Sequence, residues 1–160
     1  MENRMGKEKK VERLLVPYVE DKFPEKAEEK SFERLKKGGK LFLLHITDEA
    51  MARSIRYRTG QLGEKSEILK TFKNTQEKIQ KEIAKEHAEK VKKKASKHGI
   101  SIKPLYVVGN PAEEVLEAAD RYSVELILVE RLREKVLEVL LGDGMGYIRE
   151  KAPCRILTVS

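Results

Sequence analysis

The sequence predicts an α/β domain in which helices cover both faces of a parallel sheet. Two observations lead there. Short apolar runs alternate with amphipathic segments in the order β-α-β-α-β-α-β-α-β, and several of the runs are apolar at successive positions, as strands covered on two sides must be. The length of 160 residues suits one domain with one core, so residues 1–160 are read as a single domain.

The first strand covers Arg13–Tyr18, where Leu14, Leu15 and Val16 are consecutive, and the second covers Leu41–Ile46, apolar except at His45. Between them Pro24 opens a helix, Ala27, Ser31 and Leu35 line its inner face, and Gly38-Gly39 closes it. The third strand, Ile100–Val108, contains Pro104. Proline has no amide hydrogen for a ladder, so this strand belongs at a sheet edge. Asn110 then caps a helix with Pro111 in its first turn and Glu113 and Glu114 at the positive end of its dipole. Val115, Leu116, Ala118 and Ala119 form its inner face. The fourth strand spans Val124–Val129 and the fifth Arg155–Val159.

The middle of the chain is different. Ile68, Phe72, Ile79, Ile83, His87, Val91 and Ala95 recur at spacings of four or seven, which predicts one amphipathic helix over Glu67–Lys97. At about 1.5 Å per residue that helix is about 45 Å long. A domain with a radius of gyration of roughly 15 Å cannot cover all of it. Either the helix breaks, at Asn74-Thr75, or one end overhangs and meets a partner. The preceding stretch, Asp48–Gly63, reads as a surface loop, and 48–74 as the variable part of the domain.

Composition narrows the function classes. Asp, Glu, Lys and Arg make up 38% of the chain, 34 basic against 27 acidic, for a net charge of +7. Lys/Glu-rich helices without tryptophan are a pattern of heat-adapted proteins, because the desolvation cost of ion pairs falls with temperature. The lysines of Glu89–Lys97 read as a solvated helix face, and the alternative is a weak nucleic-acid surface. Arg53, Arg56 and Arg58 with Tyr57 read as part of a solvated loop, with an anionic partner as the alternative. No apolar run reaches the roughly 20 residues that span a bilayer, and Met1–Lys10 is charged where a signal peptide is apolar, so a cytoplasmic protein is expected. Cys154 is the single cysteine, which rules out an internal disulfide or a thiolate zinc site and reads as a small hydrophobe. His87 and His98 lie eleven residues apart, about 16 Å along a helix, too far to share a metal. His45 reads as packed at a strand end. No Ser-His-Asp or Cys-His arrangement is present, so no catalytic residue and no metal site are assigned.

Four local sequences, in order and suitably spaced, carry a resemblance. They are Leu15-Val16-Pro17, Lys40-Leu41-Phe42-Leu43-Leu44-His45-Ile46, the turn and helix Gly109–Ala119, and Ala152-Pro153-Cys154-Arg155-Ile156-Leu157-Thr158-Val159. Together they resemble the first, second, third-turn and last segments of the universal stress protein family. The resemblance implies a Rossmann-like, doubly wound, five-stranded parallel sheet of order 3-2-1-4-5. It also implies a homodimer through the last strand, Arg155, Ile156, Leu157, Thr158 and Val159, acting in stress response with a protein partner that the sequence does not name.

ATP-binding members of that family carry an aspartate just after the first strand, and Gly-x2-Gly-x9-Gly-Ser/Thr after the fourth. Here the first position falls on Val19, after Pro17 and Tyr18. Counting back from Gly142 puts the early glycines on Val129 and Leu132, and counting forward from the strand puts them on Glu130 and Arg133. No glycine lies between Gly109 and Gly142. Bulky side chains there deny a phosphate the close approach of backbone amides. Arg131–Leu141 reads as a charged amphipathic helix in place of an open loop. Asp143 stands at the small hydroxyl position, and Gly142-Asp143-Gly144-Met145-Gly146 reads as a tight turn into the last helix. The expectation is a degenerate nucleotide site and no cofactor. Alternatives are a nucleotide sensor or slow ATPase with a rearranged phosphate loop, and a weak, sequence-independent nucleic-acid binder.

Overall fold

The computed structural model describes residues 9–48, 66–131 and 144–160. Within them five strands, β1 Val11–Val19, β2 Leu35–Asp48, β3 Ser101–Gly109, β4 Leu126–Glu130 and β5 Arg155–Val159, form one sheet of order β3-β2-β1-β4-β5. Every neighbouring pair is parallel. Four described helices connect or flank the strands: α1 Glu25–Arg34, α2 Ser66–Ser96, α3 Pro111–Arg121 and α4 Gly144–Lys151.

The alternation of side chains along each strand divides the core in two. Leu14, Val16 and Tyr18 of β1 face α1 and α2, in a cluster with Leu41, Leu43, Ala27, Phe32, Ala88, Val91 and Ala95. Leu15 and Val19 face α3 and α4, with Phe42, Leu44, Val115, Ala119 and Ile148. Right-handed crossovers from β1 outward to β3 keep α1 and α2 on one face. The return to β4 puts α3 on the other.

Pro104 lies in β3, at the sheet edge, in register with Leu43, where a missing amide hydrogen disturbs no second ladder. Asn110 caps α3 by accepting the Glu113 amide at 3.1 Å. Val115, Ala118 and Ala119 are buried, whereas Leu116 is half-buried. β4 begins at Leu126, not Val124, because the Val124 amide donates to Ala119 O and closes α3.

Two expectations are corrected or resolved. Gly38-Gly39 does not close α1, which ends at Arg34 as Leu35 turns extended and pairs with Val11. The glycines instead form an irregular step in β2. Gly38 takes φ +87° and its amide donates to Gly99 O at 2.8 Å, and a Cβ on Gly39 would stand 2.8 Å from Lys36 O. The long helix is continuous through Asn74-Thr75, where Thr75 Oγ1 bonds back to Thr71 O. Its carboxy-terminal half is docked through His87, Ala88, Val91 and Ala95, and the other half overhangs with Phe72 and Ile79 exposed. The lysines of Glu89–Lys97 are exposed, as a solvated face requires.

Candidate functional site

Strand order reverses between β1 and β4. In an open parallel sheet that is where the crossovers part to opposite faces, leaving a crevice beyond the carboxyl ends of the strands. The sequence determines how β1 leaves it. Glu20 takes φ +53°, its amide bonds to Ile46 O, and the Lys22 amide bonds to Val19 O. This tight turn leads through Pro24 into α1.

Pro24 occupies the cap position of α1 but has no side chain that can accept a hydrogen bond. The first amides of a helix need acceptors. One comes from across the crevice: Glu130, the last residue of β4, accepts the Ala27 amide through Oε1 at 2.7 Å. Both Glu130 and Ala27 are buried. The positive end of α1 at the switch point is therefore neutralised by a carboxylate of the chain itself.

Of the residues singled out from sequence, Tyr18, Val19, Val129 and Glu130 converge at these strand ends. Pro17 lies one position back, buried and paired with Leu44. Val19 and Val129 do not line an open loop. Both are buried in the cluster under α3 and α4, with Ile148. Gly109 ends β3, two strands away from the crevice, and a Cβ there would collide with the Glu114 carboxylate. Gly144 opens α4. Leu132, Arg133, Gly142 and Asp143, the Arg131–Leu141 helix except its first residue, and Arg53, Arg56, Tyr57 and Arg58 lie outside the described residues. The Arg131 amide bonds to Val159 O at 2.7 Å.

Beside the crevice, on the face of α1 and α2, lies a cluster that spacing did not reveal. His87 Nε2 and Glu28 Oε2 are 2.5 Å apart, with both side chains buried. The His87 ring stacks on Phe23 at 4.2 Å and meets the edge of Tyr18 at 5.4 Å. On the other side of Tyr18 is His45, 5.0 Å away and stacked against Tyr106. His45 is 1% exposed, and neither ring nitrogen makes a well-formed hydrogen bond among the described residues, although the Gln80 side chain of α2 lies beside the ring. Burial lowers its pKa to about 4. Burial pushes the Glu28 carboxyl up, opposed by its bond to His87, and holds the Tyr18 hydroxyl protonated well above its usual range. A cleft of about 300 Å³ opens over the Glu28–His87 pair, between Asp21, Phe23 and Glu25 on one side and Glu86 and Lys90 on the other. His45 is packed at a strand end, as expected. His87 and His98 do not share an environment, since His98 is exposed against Phe32. A buried acid for His87 was legible only once α1 and α2 were known to lie side by side.

The remaining chemistry is sparse. Cys154 is half-buried and burial pushes its thiol up to about 11, so it stays protonated. No group of three or more His, Cys, Asp or Glu placed to hold a metal occurs among the described residues. No described helix is long and apolar enough to cross a membrane. β5 is the edge opposite β3, with Arg155 and Thr158 exposed and Ile156, Leu157 and Val159 half-buried.

Comparison with known proteins places these features in context. The model of the universal stress protein family matches residues 10–160. Universal stress protein MJ0577 of Methanocaldococcus jannaschii is 29% identical over 137 residues, 81% of this chain and 82% of that protein. The solved structure of MJ0577 superposes with a TM-score of 0.66 at 25% identity, covering 93% of this chain and 96% of that one. UspA from Lactobacillus plantarum superposes with a TM-score of 0.66 at 12% identity, covering 94% and 99%. A universal stress protein in complex with cAMP superposes at 0.52 and 15% identity, covering 93% and 98%. The last two likenesses show the shared fold.

Proposed function

The chain belongs to the universal stress protein family, and from that membership we propose a homodimeric, cytoplasmic stress-response protein that does not bind ATP and acts through protein contacts. The observation that supports this reading is that the chain's own carboxylate occupies the first turn of α1 at the switch point. Glu130 sits on the first turn of α1, and Val19 is packed into the core where ATP-binding members carry an aspartate. A triphosphate placed there would meet a buried carboxylate and lose its adenine-facing partner. Each lost polar contact costs about 1–3 kcal/mol, and two such losses take a micromolar site to about millimolar. ATP hydrolysis is accordingly expected to be absent.

The alternative is a nucleotide sensor with a rearranged phosphate loop, for which the relative in complex with cAMP is the motive. Calorimetric titration with Mg-ATP and with cAMP separates the two. No binding, or binding weaker than about 50 μM (roughly −6 kcal/mol), supports the proposal. Tighter binding overturns it. Binding to nucleic acid through the exposed Lys90, Lys92, Lys93, Lys94 and Lys97 is expected to be micromolar or weaker and to collapse with salt.

A further inference from the structure

We propose that Tyr18, Glu28, His45 and His87 form an acid-operated latch that holds the His87 turn of α2 on the sheet, so that protonation frees the overhanging half of that helix while its other half stays docked. The placement of the residues supports this independently of any ligand. Among the described residues the buried apolar side chains of α2 begin at Ala88, with Val91 and Ala95, while Ile83 and Ala84 before them are half-buried. On the amino-terminal side, His87 is the first buried side chain reached, and residues 71–86 are exposed or half-buried. The turn that joins the docked half to the overhang is thus held by a polar contact: the bond from His87 to Glu28 of α1, backed by the Phe23 stack.

Two proton-accepting groups lie at this one contact, and only His45 drives it open. The Glu28 carboxylate is hydrogen-bonded to the His87 ring and holds the turn down. His45 packs between the rings of Tyr18 and Tyr106, beside the Gln80 side chain of α2, and a second ring proton there would be buried with no well-formed hydrogen bond. Such a charge is costly to bury. The cation would also face His87 across Tyr18, and the low pKa of His45 has burial as its main cause and His87 as a minor one. Other ionisable groups surround the pair. Glu20 and Asp48 lie at the ends of β1 and β2, Tyr106 is on β3, and Glu130 ends β4. Asp21 precedes α1, Glu25 lies in it, and α2 contributes Glu77, Lys81, Glu86 and Lys90. Burial, and after it Glu130 and Glu25, raises the Glu28 carboxyl in the docked turn, so a proton on Glu28 favours docking and the opening is driven by the proton on His45. Moving the His87 turn outward relieves the buried histidine and opens the cleft above Glu28 to water. The apolar contacts from Ala88 onward are untouched.

Hydrogen-exchange mass spectrometry on the whole protein, corrected for intrinsic rates, tests this between pH 7 and pH 4.5. The expected result is a loss of protection of tenfold or more at 80–87, with 88–96 and β1 unchanged. His45→Phe keeps a ring in place without a titrating nitrogen and should move the opening to lower pH. Loss of protection everywhere at once, or none at 80–87, overturns the latch. As a second measurement on the unmodified chain, histidine proton resonances should show one ring titrating well below pH 6. Three histidines that all titrate near pH 6.5 overturn it as well.

Discussion

Replacing Glu130 by alanine tests the switch-point geometry most directly. The carboxylate accepts one buried amide, that of Ala27, at 2.7 Å, at the end of α1 whose cap residue, Pro24, contributes no side-chain bond. Removing it leaves that amide without its acceptor. Loss of a charged hydrogen bond costs about 1.5–3 kcal/mol, with the helix-dipole attraction partly included in that figure. A net destabilisation of about 2 kcal/mol is expected, or a fall in Tm of about 4–8 °C for a chain of this size. Glu130→Gln retains an oxygen for the amide and loses only the charge, so it should cost less than alanine, about 1 kcal/mol, a typical value for a cap. Urea and thermal unfolding followed by circular dichroism at pH 7 measure both. If alanine costs less than about 0.5 kcal/mol, as a surface substitution does, Glu130 does not cap α1. The account of why phosphate is excluded then fails with it.

Leu157→Lys combined with Val159→Lys charges the half-buried edge of β5 and should convert a dimer to monomer in analytical ultracentrifugation, since an apolar strand edge invites pairing; a monomeric unmodified protein at micromolar concentration would refute the assembly. Asn110→Ala removes the acceptor of the Glu113 amide and should destabilise by about 1 kcal/mol in urea unfolding. His45 has a folded-state pKa of about 4 against an ordinary 6.5. The stability it contributes is fully present above pH 6.5 and is lost as pH falls toward 4. Unfolding of His45→Phe should therefore depend less steeply on pH in that window than unfolding of the unmodified protein.

The periodicity of apolar residues was enough to locate all five strands, because a strand covered on both faces must be apolar throughout and a covering helix must not. Pro104 located the edge through its missing amide hydrogen. The spacing from Ile68 to Ala95 marked a single helix, and its length left a break at Asn74-Thr75 or an overhang, of which the structure shows the overhang. Glycines were less informative: Gly38-Gly39 read as a helix end, but the cross-strand pairing of Leu35 with Val11 stopped α1 earlier. Local chemistry shows that a chain can turn there, and a tertiary partner decides where it does.

The sequence by itself determined the sheet and its helices, since each depends on residue types at short spacing. What only the tertiary structure decided is where the charges end up. Glu130 meets Ala27 across 103 residues, and Glu28 meets His87 across 59. No local pattern marks either pair. Each is set by strand order and by two crossovers leaving the sheet on the same face, and burial then gives these contacts the strength that the same groups would lack in water.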